Sequence, residues 1–269
     1  MFFAGRFGPT GARLVNIRTV PGKPMGVKIK IGLLAAAALG SALLLRSTAK
    51  PDPLPSLPRV MLWAWERPED LRFIQPGTAG IAFLARTVWV DGNNVSGRPR
   101  LQPLRFLPGT PLMAVVRIES AGHGLPDREL AIREIQEAAA LPGVRALQID
   151  FDARESERAW YAALLRDLHK MLPASLPLTI TALESWCEQD GWIRNLPVAD
   201  ASPMLFRMGL GERPPAGDFA VPLCRSSIGI GTDEMPARVP RGRRLYFFYP
   251  RAWNRQAYEA VLAQAGRWQ

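Results

Sequence analysis

Thiols and imidazoles are scarce in this chain, which has two Cys and two His among 269 residues. Two Cys build neither a disulfide-rich scaffold nor a four-Cys zinc site, and two His exclude a His-rich metal centre. Neither His123 nor His169 stands at a metal-ligand spacing. There is no G-x-S-x-G nucleophile elbow and no GK[ST] phosphate loop, and nothing in the sequence requires a cofactor. Acid is missing altogether from residues 1–49, which hold Arg6, Arg13, Arg18, Lys23, Lys28, Lys30 and Arg46. The whole chain has 34 Lys+Arg against 24 Asp+Glu, a formal charge of +10. Without those seven leader cations the rest carries +3, so basicity is mostly a leader property and does not argue for nucleic acid as a partner. Hydrophobic residues make up 48% and charged residues 22%, which excludes a disordered chain. The length allows one or two domains, or a single α/β barrel.

Ile31–Leu45 is an unbroken run of Ile, Leu, Ala, Gly and Ser behind Lys28 and Lys30. It is short for a spanning helix, which needs ~20 apolar residues, and matches a signal-peptide core. Ser47-Thr48-Ala49 offers small residues for cleavage, with Gly40-Ser41-Ala42 as an earlier alternative. Arg46 directly after the run leaves an uncleaved inner-membrane anchor as the other option. The expectation is an exported chain, periplasmic or anchored facing the periplasm, with residues 1–49 as leader. In that compartment Cys187 and Cys224 are permitted to bridge. Two buried thiols are the equal alternative.

Pro51–Pro58 reads as a stiff spacer over 50–58, with one domain over 59–269. Eight strand-like segments follow: Val60–Trp65, Gly80–Leu84, Leu112–Glu119, Ala146–Asp152, Leu178–Leu183, Pro203–Met208, Ser227–Ile230 and Leu245–Tyr249. Helical spacing marks Asp127–Ala140, Ser156–Leu172 and Trp253–Ala265. This alternation predicts an α/β fold, a compact (β/α)₈ barrel of the TIM type. A doubly wound open sheet is the competitor. It should carry a Gly-rich turn after its first strand, where Trp63-Ala64-Trp65-Glu66 stands instead.

Strand parity carries the site prediction. In Leu147–Asp152, Leu147, Ile149 and Phe151 suit a helix layer, while Gln148, Asp150 and Asp152 point into the barrel. Arg117 and Glu119 repeat this on the third strand. An Arg117–Asp150 pair would neutralise buried charge, which alone would make the cluster structural. Barrel active sites, however, lie at the C-terminal strand ends. Glu66, Arg86, Glu119, Asp152 and Glu184 follow strands one to five. Arg207 lies near the end of strand six, and Asp233 and Glu234 follow strand seven. Trp63, Trp65, Trp186, Tyr249 and Trp253 lie beside them. Rings that stack on sugar C–H faces and paired carboxylates across a glycosidic bond are what a glycan site needs. A divalent ion on Asp150, Asp152 and Glu119 suits hard oxygen ligands. No spacing rule supports it, and no metal is assigned.

Several strings resemble a bacterial family catalogued as domain of unknown function 3142. They are Trp63-Ala64-Trp65-Glu66-Arg67-Pro68-Glu69-Asp70-Leu71, Arg117-Ile118-Glu119, Gln148-Ile149-Asp150-Phe151-Asp152-Ala153, Ser156-Glu157-Arg158, Thr179-Ile180-Thr181-Ala182-Leu183, Ser185-Trp186-Cys187, Pro203–Gly209 and Thr232-Asp233-Glu234. The resemblance runs from about Val60 to Trp253 and implies a shared framework of carboxylates and Arg, without an activity. A looser similarity is to glycosidase barrels. Against the chitinase-like D-x-x-D-x-D-x-E string, Asp150 and Asp152 match, but Leu147 replaces the first Asp and Arg154 the Glu. Retaining barrels that place carboxylates after strands four and seven correspond in position to Asp152 and Glu234 or Asp233.

The resulting expectation is an envelope barrel that hydrolyses or binds a glycan or another small polar ligand. Asp152 would be general acid/base, its pKa raised by Trp65 and Phe206, with Glu234 or Asp233 as partner and Glu119 and Glu184 in reserve. Arg117 and Arg207 would tune the acids or hold an acidic sugar, and Trp65 and Trp186 would stack on it. The alternative is a non-catalytic binding or assembly protein with a buried ionic network.

Overall fold

The computed structural model describes residues 51–206 and 217–269. The leader with its apolar run, and Arg207, lie outside the described residues. Among the described residues no helix is long and apolar enough to cross a membrane.

Eight parallel strands close into a barrel. β1 (Val60–Ala64) pairs with β3 (Gly80–Asp91) on one side and β11 (Arg244–Phe248) on the other. The circuit continues through β10 (Ser227–Gly231), β9 (Asp200–Met204), β8 (Leu178–Leu183), β7 (Val144–Asp150) and β6 (Leu112–Ser120) back to β3. Pairing of β1 on both edges is what an open sheet cannot have. β4 (Asn94–Pro99) folds back antiparallel on the distal half of β3, and β2 (Glu69–Asp70) pairs with β5 (Leu104–Arg105) as a separate ribbon.

Three α-helices are described. α1 (Arg128–Ala139) starts at Asp127, whose carboxylate accepts the Glu129 N–H at 3.1 Å. α2 (Arg158–Met171) buries Tyr161, Leu164, Leu165 and Leu168. α3 (Arg255–Trp268) is capped by Asn254, which accepts from the Ala257 N–H at 2.9 Å. Such caps satisfy donors that the first helical turn leaves unpaired. Around β8, β9 and β10 the described cover is made of short turns, Trp186–Asp190, Trp192–Asn195 and Pro222–Arg225. The Cys187–Cys224 disulfide ties the first of these to the last. It does for this side of the barrel what helix packing does for the other.

Two apolar clusters share the strands by parity. Leu147, Ile149, Ile180, Ala201, Ile228, Leu245 and Phe247 pack outward with the helices. Met61, Trp63, Ala82, Met113, Val115, Tyr246 and Phe248 fill the lumen. The stretch read as a spacer contributes to the lumen as well, because Leu54 and Leu57 join the inner cluster from below. The fully buried Arg244 guanidinium holds that stretch, donating to the carbonyls of Leu54 (2.8 Å), Leu57 (3.0 Å) and Pro58 (3.0 Å) and to Asp52 (3.0 Å). Burial works against ionisation of Asp52, but the Leu54 N–H and Arg244 outweigh it and hold its pKa low.

The largest departures from the sequence reading are on two strands. The sixth barrel strand is Asp200–Met204, earlier than Pro203–Met208. Asp200 and Ser202 face the lumen, so the strand's first half looked too polar to be one. The second runs on to Asp91 through a register shift between Leu84 and Arg86. Arg86 is therefore not at a strand end. It sits mid-strand under α1, paired with Glu134 and, at 2.9 Å, with Glu137.

Candidate active site

Asp150 is the last residue of β7 and faces inward, with its side chain 6% exposed. Arg117 of β6 lies beside it in register and contacts Asp150 at 3.1 Å and Asp152 at 2.9 Å. Thr181 of β8 donates its hydroxyl to Asp150 at 2.8 Å. Burial pushes the Asp150 carboxyl above the usual range, against the Arg117 charge and the Thr181 hydrogen bond, while the Asp152 charge adds to the rise. The parity reading of β7 holds for Gln148, Ile149, Asp150 and Phe151.

Asp152 departs from its expected setting. It lies beyond the strand end, its side chain is 54% exposed, and it leans on Arg117. Trp65 and Phe206 do not wall it in. They line a different cavity, about 280 Å³, at the C-terminal ends of β1, β10 and β11. That cavity also holds Phe248 and Tyr249 together with Asp233 and Glu234. It thus unites four sequence-predicted residues: Trp65, Tyr249, Asp233 and Glu234.

The other candidates divide. Trp63 is inside the lumen, 1% exposed, with its ring 4.4 Å from Phe248, so it supports the cavity floor and offers no open face. Trp186 is 2% exposed and packs edge-on against Trp192 at 5.0 Å in the outer cluster. Its ring has no surface on which to stack a ligand, because the turn carrying it is folded under the barrel wall. Glu184 follows β8 directly and is half-buried. Glu66 accepts both terminal nitrogens of Arg98, at 3.1 and 2.6 Å. Glu119 is exposed and accepts the Trp89 indole N–H at 3.0 Å. His123 contacts Asp91 at 2.9 Å at the solvent-exposed hairpin tip, apart from both carboxylate groups. Among the described residues no three His, Cys, Asp or Glu side chains are grouped to hold a metal ion, so Asp150, Asp152 and Glu119 form no such set.

Trp89 and Arg98 were missed in the sequence. The alternation Thr87-Val88-Trp89-Val90-Asp91 running into Gly92-Asn93 is a hairpin signal that could have found them. A larger groove, about 450 Å³, runs between α1 and α2 on the outside, but its lining, including Arg128, Arg133, Asp167 and Lys170, has no aromatic ring.

Comparison with known proteins adds little chemistry. Residues 108–206 match a family model described as a domain of unknown function, DUF3142. That span takes in β6 to β9, and so Arg117, Glu119, Asp150, Asp152 and Glu184. It stops short of the Trp65 string and of Asp233 and Glu234, so the likeness to that family rests on the ionic side of the rim. No curated protein matches the chain. One solved structure, the Bacillus cereus spore cortex-lytic enzyme SleL, is 16% identical over 65% of this chain, with a TM-score of 0.40. The match spans about half of that enzyme's chain, 51%. A likeness of this size carries no conclusion about activity.

Proposed function

We propose that this barrel binds a glycan at its C-terminal rim. The observation that supports it is the cavity in which Trp65, Phe206, Phe248 and Tyr249 stand with Asp233 and Glu234. Flat rings give a sugar its stacking face, and carboxylates accept its hydroxyls. About 280 Å³ is room for roughly one ring, at the small end of ligand pockets. Hydrolysis is a second reading. It is favoured by Asp150 and Asp152, two carboxyls in unlike settings on one strand end, one buried with a raised pKa and one exposed. Environments that separate two acids are how acid and base roles are divided.

Calorimetric titration of the wild-type protein with peptidoglycan fragments and other envelope oligosaccharides tests binding. Trp65→Ala should weaken binding by about 2- to 10-fold, the worth of an aromatic contact. Release of reducing ends that is lost in folded Asp150→Asn or Asp152→Asn, with binding retained, would establish hydrolysis by that pair. A wild-type protein that binds no glycan in the panel would end this reading.

We further propose export to the envelope, supported by the leader pattern and by a Cys187–Cys224 bridge that suits an oxidising compartment. Cell fractionation should recover a tagged chain outside the cytoplasm. Recovery in the cytoplasm with both thiols reduced would refute it.

A further inference from the structure

β3 changes face part-way along. Ala82 packs in the lumen on one side of the register shift, and Val88 and Val90 pack with the helix layer on the other. Thr87 and Trp89 are therefore turned to the lumen side, in register with Arg117 and Glu119 of β6. A bulge of this kind re-aims side chains at a barrel rim. β3 then continues four residues past the level of Arg117 and Asp150, and returns as β4. The hairpin so raised carries Trp89 above the buried carboxylate.

Trp89 is an unusual tryptophan in this molecule. It is half-buried, yet it belongs to neither apolar cluster nor to the residues packed against them. Polar groups hold it instead. Glu119 takes its indole N–H at 3.0 Å, and the Arg98 guanidinium lies over the ring, 5.6 Å from its centre. Arg98 in turn is locked by both oxygens of Glu66, the residue next to Trp65 of the cavity. An indole fixed in orientation without being packed away is poorly explained by core stability. It is suited to receive a flat apolar face, with planar hydrogen-bonding groups at its edge.

We propose that the β3–β4 hairpin carries a second sugar subsite, with Trp89 as stacking platform on the ring face opposite Arg98, and Glu66 and Glu119 as its hydrogen-bonding edge. The proposal rests on the glycan reading and extends it: the substrate is an oligosaccharide that reaches from the Trp65 cavity past Glu66 to the hairpin. A single sugar would use the cavity alone.

Peptidoglycan oligosaccharides of one to four disaccharide repeats, titrated into the wild-type protein, Trp89→Ala, Trp89→Phe and Trp65→Ala, provide the test. Wild-type affinity should rise with length. Trp89→Ala should lower affinity for the longest oligomer about 5- to 10-fold, as expected for one lost aromatic contact, while leaving one repeat within about twofold. Trp89→Phe, which keeps a ring but loses the N–H, should restore most of the length dependence, and Trp65→Ala should weaken every length. Melting curves identical to wild type show that the hairpin is still folded in these variants. Length dependence that survives in folded Trp89→Ala overturns the subsite alone. Wild-type protein that binds none of the oligomers overturns the glycan reading and the subsite with it.

Discussion

On β1, β3, β6 and β11 the lumen is filled by Met61, Trp63, Ala82, Met113, Val115 and Phe248, whereas β7 to β10 place Gln148, Thr179, Asp200, Ser202 and Ser227 in the same space. The apolar half is a packed core of the kind that fills small barrels. The polar half is a column that continues upward to Thr181, Asp150 and Asp152. It is also loosely tied: among the described residues the Gln148 amide, one Asp200 oxygen and the Ser202 hydroxyl have no protein partner, as is also true of the Tyr246 hydroxyl of β11 and the Trp63 indole N–H of β1. Packing strength and buried polarity have been assigned to opposite sides of one cylinder. The rim divides differently: the ring-lined cavity stands over β1, β10 and β11, and the Arg117–Asp150–Asp152 group over β6 and β7.

Substitution on the two halves should separate them most widely. Trp63→Ala should lower unfolding stability by about 3–5 kcal/mol, since it removes a buried ring from a tight core. Ser202→Ala across the lumen should change stability by less than about 1 kcal/mol, because among the described residues the hydroxyl has no hydrogen bond to give up. Urea denaturation of both variants checks this, and equal losses would remove the distinction.

A pH series sharpens the same contrast. Burial raises the Asp200 carboxyl to about 6, despite the Ser227 hydrogen bond and the charges of Arg244 and Arg243, with Asp52 acting to raise it. The folded state therefore binds this proton more tightly than the unfolded chain does. The associated stability is complete below the unfolded value near 4 and is lost as pH rises through about 6, roughly 3 kcal/mol in all. Asp150 and Glu69, also raised, act with the same sign. Asp200→Asn should flatten its share of the slope and gain on the wild type between pH 4 and 7. A wild-type-minus-variant difference that does not vary with pH would contradict it.

The smallest effect concerns Asp152. Asp152→Asn should cost no more than about 1 kcal/mol, as expected for an exposed ion pair. A loss of several kcal/mol in thermal melts would show that Arg117 depends on it as much as on Asp150.

Much of this was legible in the sequence. The eight strands and the inward parity of Gln148 and Asp150 follow from period-two patterning, because β7 is buried on both faces and leaves its polar residues no exit. What escaped has local physical reasons. The bulge after Leu84 has no signature of its own, since Ala85 fits either parity, and so the facing of Trp89 was lost. Trp186 read as a site residue because strand-end position says nothing of whether the following turn folds outward or under the wall. The Pro-rich stretch gave no sign that Leu54 and Leu57 are buried, because its anchor is Arg244, some 190 residues away.

That anchor has a consequence for how the molecule is made. β1 has its two neighbours at very different distances along the chain, β3 about twenty residues on and β11 about 185, with Met61 against Gly80 and Val60 against Leu245. The clasp of Arg244 on Leu54, Leu57 and Pro58 lies across that same seam. Joining ends so far apart carries the largest loop-closure entropy of any contact in the barrel and is slow for that reason. Until β11 has been made, β1 has no partner on that side, and the cylinder cannot shut. A chain released short of β11 would lack both the closing strand and the clasp.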